Sequence, residues 1–106
     1  MPDIMDTMIT IKKTSEFDEW YHELREKEQT QIDARLQRIQ STGHFVDAKY
    51  LGDGLAELRW KNGWRIYFFK ESLTGIILLI GGSKNVQEKD IKRAKLLLRR
   101  YADFGS

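Results

Sequence analysis

The sequence predicts an α+β fold in which an N-terminal strand and a helical hairpin pack on a small antiparallel-rich sheet, with a C-terminal helix closing the chain. Three observations predict it. Two helical stripes, Phe17, Trp20, Tyr21 and Leu24, then Ile32, Leu36 and Ile39, follow one another before Gly43. Four short β-patterned segments come next, separated by Gly52-Asp53-Gly54, Lys61-Asn62-Gly63 and Glu71–Thr74. A last amphipathic helical pattern ends the chain.

Thr7 to Lys13 reads as the first strand, with Met8, Thr10 and Lys12 on one side and Ile9 and Ile11 on the other. Thr14 or Ser15 then caps a helix, Ser15 and Asp18 forming a variant of the capping box, and this helix is expected to end near Lys27. The second helix stops at Gly43, after polar Ser41 and Thr42. Strands are expected over Ala48–Leu51, Leu55–Trp60, Trp64–Lys70 and Gly75–Ile80. The last of these is apolar throughout Ile76–Ile80, which predicts a central strand covered on both faces. The final helix, about Val86 to Tyr101, turns Ile91, Ala94, Leu98 and Tyr101 inward and Lys89, Lys92, Arg93 and Arg99 outward.

A chain of 106 residues suits one domain over 1–106. Its 41% hydrophobic and 32% charged residues, with a single proline, fit a globular protein and not a disordered one. No run approaches the roughly 18 apolar residues of a membrane span. The N-terminus, with Asp3 and Asp6, lacks the basic and apolar blocks of a secretory signal, so a cytoplasmic protein is expected. The absence of cysteine excludes disulfides and zinc–thiolate sites, and the two histidines stand far apart, so no metal or other cofactor is expected. His22 reads as a surface or packing residue and His44 as a loop residue that remains a distant catalytic candidate. Trp20, Trp60 and Trp64 read as core or edge aromatics.

The net charge of +2 hides a split: residues 1–43 hold six Lys/Arg against nine Asp/Glu, a net of −3, and residues 44–106 hold twelve against seven, a net of +5. The basic half is either a solvated face or a surface that attracts a polyanion. Within it Lys49, Arg59, Arg65 and Lys84 mark four segments that one sheet can bring together.

Hairpin register decides how closely. A two-residue Asn62-Gly63 turn puts Arg59 and Arg65 on opposite faces and mixes tryptophans with arginines on each. A three-residue Lys61-Asn62-Gly63 loop sets Leu58, Trp60, Trp64, Ile66 and Phe68 on one face and Glu57, Arg59, Arg65 and Tyr67 on the other. A sheet with one buried face selects the second. Arg59 then stands opposite Arg65, a like-charge pairing that is costly unless an anion intervenes. Glu57, on the same face, is the internal candidate for that anion, and a phosphate, which arginine grips bidentately, is the external one. Tyr67 stands beside them, able to stack on a base or hydrogen-bond the same ligand.

The segments Lys49-Tyr-Leu-Gly-Asp-Gly54, Glu57-Leu-Arg59, Gly63-Trp-Arg-Ile-Tyr-Phe68, Ile77-Leu-Leu-Ile-Gly-Gly-Ser-Lys84, and Gln87 with Lys89-Asp-Ile-Lys-Arg-Ala-Lys95 carry a resemblance. In order and spacing they resemble the RelE/ParE superfamily of toxins from type II toxin–antitoxin modules, and within it the HigB-like branch of addiction-module killer proteins. The likeness covers about Thr7 to Tyr101. It departs from the branch at Lys61-Asn62-Gly63-Trp64-Arg65, which keeps the arginine of an aromatic Gly-Pro-Gly-Tyr-Arg turn without its proline, and at Ser83, where Asp is common. Some relatives carry a catalytic Tyr or His near the C-terminus; here Tyr101 is expected to end a helix and no histidine follows it.

The resemblance implies a RelE-like fold and a metal-independent, ribosome-dependent endoribonuclease that cuts messenger RNA and inhibits translation. Arg59, Arg65 and Lys84 would be its catalytic residues, with Lys49, Tyr67 and Lys89 binding substrate. Implied partners are a cognate helix-turn-helix antitoxin of HigA type, the ribosome and messenger RNA, with DNA met only through the antitoxin complex and no membrane. Fold alone does not choose among superfamily activities. A ParE-like DNA gyrase inhibitor and a non-catalytic, toxin-like binding or regulatory protein are the alternatives.

Overall fold

The structure, a computed structural model, describes residues 8–105. Strand β1 (Thr10–Lys13) leads into helices α1 (Ser15–His22) and α2 (Glu26–Thr42). Strands β2 (Ala48–Gly52), β3 (Leu55–Arg59), β4 (Trp64–Ser72) and β5 (Gly75–Ser83) follow, then a 3-10 turn over Lys84–Val86 and helix α3 (Gln87–Gly105). The sheet order is β1-β5-β4-β3-β2, with β1 parallel to β5 and every other pair antiparallel. This is the expected α+β arrangement. Among the described residues no helix is long and apolar enough to cross a membrane.

Two apolar layers hold the sheet between helices. On one face Phe17 of α1 and Ile32, Leu36 and Ile39 of α2 pack on Leu58, Ile66, Phe68, Ile76 and Leu78. On the other, Ala94 and Leu97 of α3 pack on Leu55, Tyr67, Phe69, Ile77, Leu79 and Ile80. Strand β5 contributes to both layers, which is why it reads as an unbroken apolar run. It is an inner strand as expected, but β4 occupies the middle of the sheet.

Side-chain hydrogen bonds explain where the helices begin and end. Thr14 is the cap of α1: its buried Oγ1 accepts from the Phe17 N–H at 3.0 Å and donates to the Leu79 carbonyl at 2.7 Å, tying the helix start to β5. Helix α1 stops at His22, well short of Lys27, which falls in the first turn of α2. The break contains neither glycine nor proline. The Glu28 carboxylate accepts the Arg25 N–H at 3.0 Å and Gln29 Nε2 donates to the Tyr21 carbonyl at 2.9 Å, so two side chains satisfy groups that a continuous helix would have bonded internally. The end of α2 at Gly43 is as expected.

Other boundaries also shift. Strand β1 begins at Thr10, because the Ile9 N–H turns away to the Gln40 carbonyl at 2.9 Å; Thr7 lies outside the described residues. Strands β4 and β5 run on to Ser72 and Ser83. Helix α3 begins at Gln87 and continues past Tyr101 to Gly105, with Leu97 more deeply buried than Leu98.

Candidate functional site

Gly63 makes the hairpin register possible. Its φ of 103° lies in the left-handed region that a β-carbon disfavours, and it closes a Lys61-Asn62-Gly63 loop in which the Trp60 N–H meets the Trp64 carbonyl at 2.9 Å. Leu58 stands opposite Ile66 and Arg59 opposite Arg65, the register chosen by the hydrophobic pattern. Lys49 pairs with Glu57, Glu57 with Tyr67 and Tyr67 with Ile80, while Arg65 pairs with Gly82. Paired residues share a face, so two rows cross the α3 side of the sheet: Lys49, Glu57, Tyr67 and Ile80, then Arg59, Arg65 and Gly82.

Glu57 sits between the two arginines and is completely buried. Its Oε1 accepts from Arg59 Nε at 2.7 Å and from Arg65 Nη1 at 3.4 Å, and its Oε2 accepts from Gln87 Nε2 at 2.9 Å. One carboxylate facing two guanidiniums leaves the cluster positive. The arginines differ in access: the Arg59 side chain is 40% exposed, whereas that of Arg65 is 15% exposed, with its Nε buried and unbonded among the described residues. Arg65 forms the floor of the site and Arg59 its open arm.

Beneath α3 lies a second polar group. Tyr67 is fully buried and its hydroxyl lies beside the Glu57 carboxylate without a well-formed hydrogen bond among the described residues; burial, reinforced by the Glu57 and Asp90 carboxylates, keeps the phenol neutral. Tyr67 is expected to contact substrate, but α3 covers its ring and offers no face of it to a base. Asp90 rests on Gly82, where any β-carbon would overlap its carboxylate. Burial raises the Asp90 pKa, with Arg93 and Lys89 pulling it back.

Because the folded protein holds the Asp90 proton more tightly than the unfolded chain, this group contributes stability below the ordinary carboxylate range that is lost as pH rises through its folded pKa. Asp90→Asn is therefore expected to raise stability at neutral pH, with the gain shrinking in acid. Urea unfolding of both proteins across that range reads the sign directly. A variant that loses stability at neutral pH would show that the charged form is the preferred one.

Lys84 donates its backbone N–H to the Gly63 carbonyl at 2.9 Å, and its exposed side chain runs along the glycine. The register thus brings Arg59, Arg65 and the Lys84 backbone to one end of the sheet. Lys49 is exposed one row back on the edge strand, and Lys89 is exposed in the opening turn of α3. Trp20 packs over Gly81 and meets Trp64 edge-on, their centroids 5.8 Å apart, so both serve packing here. The Tyr101 hydroxyl donates to Glu16 Oε1 at 2.8 Å and ties α3 to α1.

Comparison with known proteins bears on what this geometry belongs to. No known family model matches the chain. A Haemophilus influenzae protein described as uncharacterized is 44% identical over 92 residues, covering 84% of this chain and 92% of its own length. The two belong to one family. Among solved structures, the toxin–antitoxin complex RelBE2 of Mycobacterium tuberculosis superposes with a TM-score of 0.61 at 13% identity, covering 73% of this chain and 92% of that one. The isolated Escherichia coli RelE toxin gives a TM-score of 0.60 at 12% identity, covering 80% of this chain and 97% of that one. The chain has the RelE toxin fold.

Three polar residues that support this RelE-fold site are not among the expected site residues. Gln87 and Asp90 share the inward spacing of Ile91 and Ala94, so polar side chains on a buried stripe were the available signal. Arg35 lies between Ile32 and Leu36 in the same way. Its guanidinium stacks 4.3 Å from the Trp60 ring centroid and donates to the carbonyls of Arg59 and Val46, fixing the end of β3 from the opposite face.

Proposed function

We propose that this chain is the toxin of a toxin–antitoxin pair and cuts messenger RNA on the ribosome, inhibiting translation. The observation that carries this reading is the cross-strand pair of Arg59 and Arg65 at the open end of a RelE-fold sheet. Metal-free RNA cleavage builds extra negative charge on the phosphorus centre and must protonate the departing 5′ oxygen. Two guanidiniums, one open and one fixed, suit the first task, and the exposed ammonium of Lys84 suits the second. Lys49 and Lys89 would hold flanking phosphates. Glu57 already bonds both arginines, so the site is rich in charge stabilisers, and the ribosome would align the 2′-hydroxyl and supply the remaining catalysis.

The motifs quoted above support the HigB-like branch and with it a helix-turn-helix antitoxin of HigA type, acting in the cytoplasm. The M. tuberculosis neighbour is itself a toxin–antitoxin complex, which supports an antitoxin partner here. Glu57 also favours a second reading, in which arginines already partnered by a carboxylate hold a ligand without cutting it, as a gyrase inhibitor or a regulatory protein would. Inducing the protein in cells and mapping new messenger-RNA ends separates the two. Cuts inside translated codons that vanish with Arg59→Ala or Lys84→Ala are expected; intact transcripts with inhibited gyrase would establish the second reading.

A further inference from the structure

From Ile91 to Ala102, α3 carries five Lys/Arg residues and no carboxylate. At about 100° per residue, Lys89, Lys92, Arg93, Leu96, Arg99 and Arg100 fall on one side of the helix, opposite the stripe that packs on the sheet. All six are exposed. At about 1.5 Å per residue the cations from Lys89 to Arg99 span about 15 Å.

This arrangement works against the helix that carries it. Lys89 with Arg93 and Lys95 with Arg99 are like charges four residues apart, which repel on a helix surface. Lys89 also stands in the first turn, near the positive end of the helix dipole, where cations are disfavoured. Internal partners relieve only part of this: Lys95 meets Asp53 at 3.5 Å and Arg100 meets Glu16 at 3.8 Å. Lys89, Lys92 and Arg93 form no ion pair among the described residues.

Helix α3 also begins at the candidate site. Gln87, the first residue of α3, donates to the Glu57 carboxylate that joins Arg59 and Arg65. A polyanion seated on the arginines and continuing along α3 would meet cations at every turn. An acidic protein partner would need apolar or aromatic anchors at the centre of its contact, and among the described residues this face has only Leu96. Evenly repeated cations with little apolar surface suit a sugar-phosphate backbone.

We propose that the outer face of α3 is a backbone track for structured RNA, gripping phosphates beyond the segment held by Arg59 and Arg65. The track rests on the reading that this chain acts on RNA, and it adds the surface by which a folded RNA is held.

The test is the salt dependence of binding to an RNA hairpin of arbitrary sequence, measured by fluorescence anisotropy on the full chain. Proteins compared are the wild type, Arg59→Gln, and the triple variant Lys92→Gln/Arg93→Gln/Arg99→Gln; glutamine keeps helix propensity, and a thermal melt confirms folding. The triple variant is expected to lower the slope of log affinity against log salt by about 2–3, as three lost phosphate contacts require. A slope unchanged in the triple variant but reduced in Arg59→Gln overturns the track and leaves the proposed site standing. A wild-type slope near zero overturns both. Competition by poly-glutamate as effective as that by RNA at equal charge also overturns the track, in favour of an acidic protein partner.

Discussion

Glu57→Leu is expected to lower stability by about 3–5 kcal/mol, the usual cost of removing one member of a buried ion pair. Leucine fills a similar volume, so the loss comes from what it leaves behind. Arg59 can turn its half-open side chain to water, but Arg65 is held under α3 with its Nε already unbonded, and Gln87 loses the acceptor that docks the start of the helix. The double substitution Glu57→Leu/Arg65→Leu should recover much of the deficit, since replacing a buried pair with apolar side chains is often neutral. Chemical unfolding of the single and double variants measures both quantities. A Glu57→Leu loss below about 1 kcal/mol would mean that Arg65 reaches solvent by a modest movement of α3, which the mean value of an exposed pair describes.

What the sequence made legible here, and what it hid, divides along one line. Side chains of Leu58, Trp60, Trp64, Ile66 and Phe68 repeat with period two across a short loop, so the local pattern alone fixes the register and puts Arg59 opposite Arg65. Glu57 was visible as one of two possible anions because it shares their face. That it is the one present depends on Gln87, thirty residues further on, arriving from α3 to hold its other oxygen. Such a contact depends on how a helix docks, and no local pattern encodes docking.

Tyr67 shows the same limit from the other side. Alternation puts it on the polar face with the arginines, yet the sheet is covered on that face too, and a tyrosine suits either a covered or an open position. The position of the break between α1 and α2 was hidden for another reason. Glutamate and glutamine are good helix formers, and only their side-chain bonds to Arg25 and Tyr21 turn them into terminators. Arg35 and Asp90 were legible in principle, since each interrupts an apolar stripe at a buried angle. A polar residue on such a stripe marks a contact whose partner must be sought elsewhere in the chain.

On the proposed function, Arg65→Ala is expected to reduce ribosome-dependent cleavage of messenger RNA by about 10²–10³-fold, the cost of removing one preorganised donor from a developing oxyanion. Its effect should exceed what its limited exposure suggests. The Arg65 guanidinium is fixed by Glu57 and by the strands on either side, so it needs no reorganisation when charge develops, whereas Arg59 must first be ordered by substrate. Arg65→Lys should restore little, because an ammonium presents no planar fork and cannot bond Glu57 and a phosphate oxygen in one plane. Single-turnover cleavage on stalled ribosomes, with unfolding curves for each variant, separates loss of chemistry from loss of fold. If Arg65→Lys cleaves at the wild-type rate, the residue supplies charge alone, and the paired geometry of the hairpin is then a matter of stability. If Arg65→Ala retains full cleavage, the phosphate is held by Arg59 and Lys84 without it, and the fixed arginine serves only to neutralise Glu57.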